Sequence, residues 1–294
     1  MKTPQQSYPP LNLALGGIEV FLKREDLHPY HSHKGRSIPL MIKEYRKKEG
    51  ITRFAISSSG NAALAAAKTV AKHNQNNLGA PITLEIFVGK KVDHKKLRLI
   101  ESYTEDPNIS IAQVDRPKQE AFQLDTSGKA KNLRQSTDPT ALVGYYELAK
   151  EIAKIPHIEA VFIPTSSGTT AEGLAIGFEQ LQKDIQIHIV QTSQCHPIAE
   201  VFDTDFIPTE HAIAGAIVDQ IAHRKDAVVA AITASGGSGW VVSDDDITNA
   251  MARIKETTHI DLSPNSALAL AGLQKALHAE WEWQGPVACI ITGQ

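Results

Sequence analysis

The feature that most restricts the fold is an alternation of short β-rich apolar runs with longer helical runs along the whole chain. Strands are predicted at residues 18–22, 53–57, 82–88, 109–114, 160–163, 185–191, 227–233 and 287–292. Most of these runs are nearly continuous in Val, Ile, Ala and Phe, the pattern of parallel strands buried on both faces. Helices are predicted at residues 38–48, 62–73, 94–103, 140–154, 170–182, 244–256 and 265–281. Ser243 and Asp246 have the spacing of a capping box at the start of one of them. This order predicts the α/β class, with open, doubly wound sheets. A length of 294 residues allows one large domain or two ordinary ones, and 42% apolar residues supply a sizeable core. The loops at 74–81, 125–131 and 235–239 are too short to be linkers, so the division into domains follows topology. The expected division is a large domain of residues 1–39 and 146–294, with a smaller α/β domain of residues 40–145 inserted.

Charge and composition remove several function classes. The net charge is −3, with acids and bases mixed, so no nucleic-acid face or membrane-surface patch is expected. No apolar stretch has spanning length. Residues 1–10 are polar and proline-rich, without a signal-peptide core. The two cysteines, Cys195 and Cys289, are far apart and form no ligand pattern. A reducing, cytoplasmic setting is the expectation.

Chemistry concentrates in three loops. Residues 23–37, Lys-Arg-Glu-Asp-Leu-His-Pro-Tyr-His-Ser-His-Lys-Gly-Arg-Ser, read as a histidine-rich loop between a strand and a helix. Lys34 there is either an imine-forming lysine or one solvated base among 30. Residues 57–62 follow a strand and open a small-residue helix. Ser58, Ser59, Gly60, Asn61 and Ala62 make a carboxylate cradle from hydroxyls and helix-start N–H groups, or simply an N-capping run. Residues 164–170 repeat the arrangement. Ser166, Ser167, Gly168, Thr169 and Thr170 suit a phosphate at a helix N-terminus, and equally a Ser/Thr-rich turn. This loop is neither a Walker A loop nor a GxGxxG dinucleotide loop, which points to a small phosphorylated cofactor. His28, His31 and His33 lack metal-ligand spacing, so no metal is expected. Cys195-His196 reads better as buried structure than as a nucleophile pair. Residues 235–239 could cradle an anion or form a flexible loop.

The order of these loops resembles the fold-type-II pyridoxal-phosphate enzymes, the group of tryptophan synthase β, cysteine synthase, threonine synthase and the serine/threonine dehydratases. The resemblance runs from about Phe21 to Gln294. Lys23-Arg24-Glu25-Asp26-Leu27 followed by His33-Lys34 looks like the segment leading to the Schiff-base lysine. Ser58 to Ala62 is similar to the substrate-carboxylate loop, whose asparagine, here Asn61, also faces the cofactor. Ser166 to Thr170 resembles the phosphate loop in its cysteine-synthase form. Thr292-Gly293 is similar to the Thr-Gly that meets the pyridine nitrogen, and Pro264-Asn265-Ser266-Ala267 to the helix start before it. The resemblance implies two doubly wound domains, pyridoxal 5'-phosphate as cofactor and a homodimer. It makes Lys34 the catalytic lysine and places His33 among the residues beside the cofactor.

Within the group, Ser58 to Ala63 looks closest to serine dehydratases. Asp138-Pro139, Gly144 and Glu151-Ile152 resemble a dehydratase segment. Residues 88–92 and 95–97 look like the Gly-Lys…Lys-Leu segment of threonine synthase, but Ala141 stands where that enzyme carries an arginine, which counts against a phosphorylated substrate. The implied activity is a lyase removing a β- or γ-leaving group from a small amino acid. The alternatives are β-replacement of the cysteine synthase type and a non-catalytic cofactor-binding protein.

Overall fold

The computed structural model describes residues 2–90, 92 and 94–293, without the side chains of residues 94–96. Lys91, Lys95, Lys96 and Gln294, which take part in the resemblances above, thus lie outside the described residues or side chains. The chain divides into two compact units, Met1–His33 with Tyr145–Gln294, and Lys34–Gly144. The first unit opens with β1 (Gln5–Ser7), α1 (Pro9–Ala14) and β2 (Val20–Arg24). The second holds α2 (Lys34–Glu49), β3 (Arg53–Ser57), α3 (Asn61–Gln75), β4 (Thr83–Gly89) and α4 (His94–Glu101). It continues with β5 (Ile109–Val114), α5 (Pro117–Thr126) and β6 (Lys131–Asn132). After α6 (Thr140–Ile152), the first unit resumes with β7 (Ala160–Pro164), α7 (Thr169–Gln180) and β8 (Gln186–Thr192). It ends with α8 (Lys225–Ser235), β9 (Ser238–Val242), α9 (Asp244–Thr258), α10 (Pro264–His278) and β10 (Val287–Ile291).

The first unit is a six-stranded sheet in the order β1-β2-β10-β7-β8-β9, parallel except for β1. Alternate residues of its strands feed two cores. Phe162, Val190, Trp240 and Cys289 pack with Ile247, Ile254 and Leu268 from α9 and α10. Val161, Ile163, Ile189 and Ile290 pack with Leu148, Leu174 and Val228 from α6, α7 and α8. Helices on both faces explain why these strands read as unbroken apolar runs. The second unit has a parallel sheet in the order β5-β4-β3-β6. The class is α/β, with two doubly wound open sheets.

Three expectations change. Residues 227–233 belong to α8, not to a strand. A short apolar run fits a buried strand and a buried helix equally. Here the run continues into an eleven-residue helix closed by Gly236. The strand lies just beyond, so residues 238–239 of the expected glycine loop begin β9 and are buried. Ser235 instead accepts the backbone N–H of Ile187 at 3.0 Å. The helix predicted from residue 38 starts at Lys34 and contains Pro39. Gly35, Ser37 and Pro39 are weak helix formers and hid its first turn.

At the base of the first unit, His188 stacks on Phe162 with ring centroids 4.6 Å apart. Trp240 Nε1–H donates to His188 Nδ1 at 3.1 Å, which leaves Nε2–H to donate to Gln186 Oε1 at 3.2 Å. Burial lowers the His188 pKa from 6.5 to about 3. The unfolded chain therefore binds a proton that the folded one refuses, and stability falls as pH drops below 6.5 toward 3. This histidine alone is expected to contribute a slope of about 1.4 kcal/mol per pH unit in that window. Urea unfolding at several pH values should show the slope in the parent and its loss in His188→Gln.

Candidate active site

In open α/β sheets, ligands sit beyond the carboxyl ends of strands where the strand order reverses. In the first unit the order runs outward from β7 to β9, and β10 then returns between β2 and β7. The reversal lies between β7 and β10. In the second unit it lies between β3 and β6, since β4 and β5 go one way and β6 the other. The Ser166 loop follows β7 and the Ser58 loop follows β3, so each stands at the switch point of its own sheet.

The first unit brings the Ser166 loop, Thr292 and His33 together, because β7, β10 and β2 are neighbours. The backbone N–H and Nδ1–H of His33 both donate to the Thr292 carbonyl, at 2.9 and 2.8 Å. Ser32 pairs with Gly293 as an isolated antiparallel bridge. His28 stacks on Tyr30, and His31 is exposed. Beneath this loop, buried Lys23 meets the Glu151 carboxylate and donates to the Thr3 carbonyl at 2.9 Å. Arg24 grips Asp26 through two bonds of 2.9 and 2.7 Å. The motif 23–26 is therefore the foundation of the loop. Cys195 is buried, and His196 Nδ1–H donates to the Thr192 carbonyl.

Gly168 caps α7 at φ +87°, a left-handed conformation that favours glycine. A Cβ there would lie 2.8 Å from Val228 Cγ2. The first helical bond of α7 runs from Glu172 N–H to the Gly168 carbonyl, so the N–H groups before it open onto the loop. Ser167 and Thr169 hydroxyls stand 2.9 Å apart. Ser166 Oγ accepts the N–H groups of Val218 and Asp219, at 3.1 and 3.2 Å. This tether to residues 218–219 carries no sequence signal, because its donors are backbone groups. At β10, Ser266 donates to the Gly293 carbonyl and receives its N–H at 3.1 Å. Thr292 Oγ1 lies 3.4 Å from Ser266 Oγ, a long contact that leaves its proton available to a better acceptor.

In the second unit, Asn61 and Ala62 begin α3, and Ser58, Ser59 and Gly60 form the partly exposed turn before it. Ser58 Oγ accepts the Gly60 N–H at 3.2 Å. Lys34 is the first residue of α2. Gly144 lets α6 approach the first turn of α2, since a Cβ there would sit 2.2 Å from the Arg36 carbonyl. Ser37 Oγ donates to the Ala141 carbonyl at 2.8 Å, and Ala141 itself is buried. Asp138 accepts the Tyr45 hydroxyl and the Thr140 N–H, fixing the start of α6. Lys34 keeps part of its surface accessible, yet the protein packed around its amine lowers the pKa from 10.5 to about 8.

Taken one by one, the groups of each unit suit parts of a phosphorylated aldehyde with a ring nitrogen. A neutral hydroxyl and amide cradle at a helix end fits a phosphate. A desolvated lysine fits an aldehyde, and the Thr292 hydroxyl fits an uncharged ring nitrogen. The comparison with known proteins decides the family: the model described as "Pyridoxal-phosphate dependent enzyme" matches residues 1–293. The chain belongs to the pyridoxal-phosphate dependent enzyme family. Among family relatives, L-threonine dehydratase biosynthetic IlvA of Pasteurella multocida (strain Pm70) is 26% identical over 276 residues, 93% of this chain and 52% of that protein. Threonine synthase of Bacillus sp. (strain ULM1) is 24% identical over 283 residues, 94% of this chain and 78% of that protein. The chain thus spans about half the length of the threonine dehydratase it matches. Maize serine racemase shares the fold, with a TM-score of 0.82 at 18% identity over 100% of this chain and 88% of that one.

Proposed function

We propose that this protein is a pyridoxal-phosphate-dependent lyase that removes a β- or γ-leaving group from a small amino acid, with serine and threonine as the first candidates. The observation that carries the reading is Lys34, a buried-side amine at a helix start with its pKa lowered to about 8. When bound, the cofactor supplies an electron sink that weakens the substrate's Cα–H bond. Lys34 would hold the cofactor through its amine, and the same amine would take the substrate's Cα proton near neutral pH. Ser58, Ser59, Gly60, Asn61 and Ala62 hold the substrate carboxylate. Ser166, Ser167, Gly168, Thr169 and Thr170 hold the phosphate, with His33 beside them. Thr292 would offer the ring nitrogen a neutral hydroxyl, which would leave it uncharged and favour elimination over transamination. Ala141 brings no cation for a phosphorylated substrate, so dehydration is favoured over threonine synthesis. The serine- and threonine-rich form of the phosphate loop favours β-replacement as the second reading. A homodimer and a cytoplasmic setting belong to the same proposal; among the described residues no helix is long and apolar enough to cross a membrane.

Incubation with serine, threonine, phosphohomoserine and O-acetylserine plus sulfide separates the readings. Keto acid from serine or threonine supports dehydration. Cysteine as the main product overturns it in favour of replacement, and no product from any of them favours a binding protein. Because only the neutral amine attacks an aldehyde, capture of the cofactor by stripped protein is expected to accelerate about tenfold per pH unit up to about pH 8 and then level. Stopped-flow absorbance checks this; a midpoint near 10.5 would contradict the shifted amine.

A further inference from the structure

Arg224 belongs to none of the motifs described above. It immediately precedes α8, is 8% exposed, and packs directly against the Ser166 loop. Its Cβ lies 3.3 Å from where a Cβ on Gly168 would stand. Its Nη1 donates to Glu172 Oε2 at 2.7 Å. Glu172 sits in the first turn of α7, the turn whose N–H groups open onto that loop. A carboxylate at this position suits the helix dipole, but it stands within one helical turn of any phosphate held at the same end. Two anions that close repel strongly in a partly buried setting. The pair itself is largely shielded from salt, with side-chain exposures of 8% and 17%.

We propose that Arg224 is a positioning residue for the cofactor's phosphate: by neutralising Glu172 it lets the α7 N-terminus accept a dianion. The inference rests on the reading that residues 166–170 hold a phosphate. It assigns the arginine an electrostatic role carried by Glu172, beyond any part it has in packing.

The test compares pyridoxal phosphate with pyridoxal, which lacks the phosphate, on cofactor-stripped protein. The readout is the ratio of the two dissociation constants, followed by absorbance. The parent is expected to prefer pyridoxal phosphate. Arg224→Met should reduce that preference on the order of tenfold. Glu172→Gln should keep or raise it, and the double variant should return to the parent's ratio within about threefold. No preference in the parent would overturn the phosphate-loop reading. A parental preference that Arg224→Met leaves intact would overturn the role of Arg224 alone. A loss that Glu172→Gln does not rescue would also overturn it, showing a packing effect. If Arg224→Met does not fold, Arg224→Lys and the double variant carry the test: both must retain the parent's ratio, and a tenfold loss in either rejects the proposal.

Discussion

Replacing Lys34 with alanine is expected to abolish covalent capture of pyridoxal phosphate and to lower turnover on the order of a thousandfold or more. No other proposed site residue is expected to carry an effect of this size, because the proposal gives Lys34 two parts, the cofactor's covalent partner and the base. The fold should survive. Lys34 opens α2 rather than bridging a core, and its lowered pKa shows that its charge is disfavoured where it stands. The thermal midpoint of the cofactor-free variant should therefore match or exceed the parent's below about pH 8. Absorbance titration and circular dichroism check the two halves of this expectation. Retained capture would move the chemistry to another lysine.

The second large effect is on stability. Lys23→Met is expected to cost about 3–5 kcal/mol, because it removes a cation from a fully buried position against the Glu151 carboxylate. Glu25, also buried, receives the Thr3 hydroxyl in the same network. The loss should appear as a shifted midpoint in urea without a change in slope. Lys23→Met combined with Glu151→Leu should recover part of it, since both charges are then gone. A single variant as stable as the parent would show that water reaches this network.

The sheet strands at the centre of each unit were legible because burial on both faces forces continuous apolar runs. β7 and β10 are examples: all five residues of each are buried. The glycine- and hydroxyl-rich loops were legible because their composition stands out between an apolar strand and a helix, although neither helix is capped by one of their side chains. What was hidden had physical reasons. The run at residues 227–233 is apolar throughout, so its period could not separate α8 from a strand, and β9 was displaced by one element. Lys34 looked like a loop residue because glycine, serine and proline fill its turn. β1 is short and polar, and its place at the sheet edge leaves no apolar signature.

The proposed site is legible where it is built from side chains and hidden where it draws on backbone or distant charge. Lys34, Asn61, Ser166 and Thr292 carry recognisable chemistry. The Val218 and Asp219 N–H groups on Ser166 have no residue type to announce them. Arg224 and Glu172 are 52 positions apart, and only the packing of α7 against α8 makes them a pair.

The most direct test of the account is chemical trapping. Borohydride reduction of the protein loaded with pyridoxal phosphate, followed by proteolysis and mass spectrometry, should place a phosphopyridoxyl group on Lys34 and leave the other lysines unmodified at stoichiometric label. Label on a different lysine, or none above the level of free lysine in solution, would contradict it.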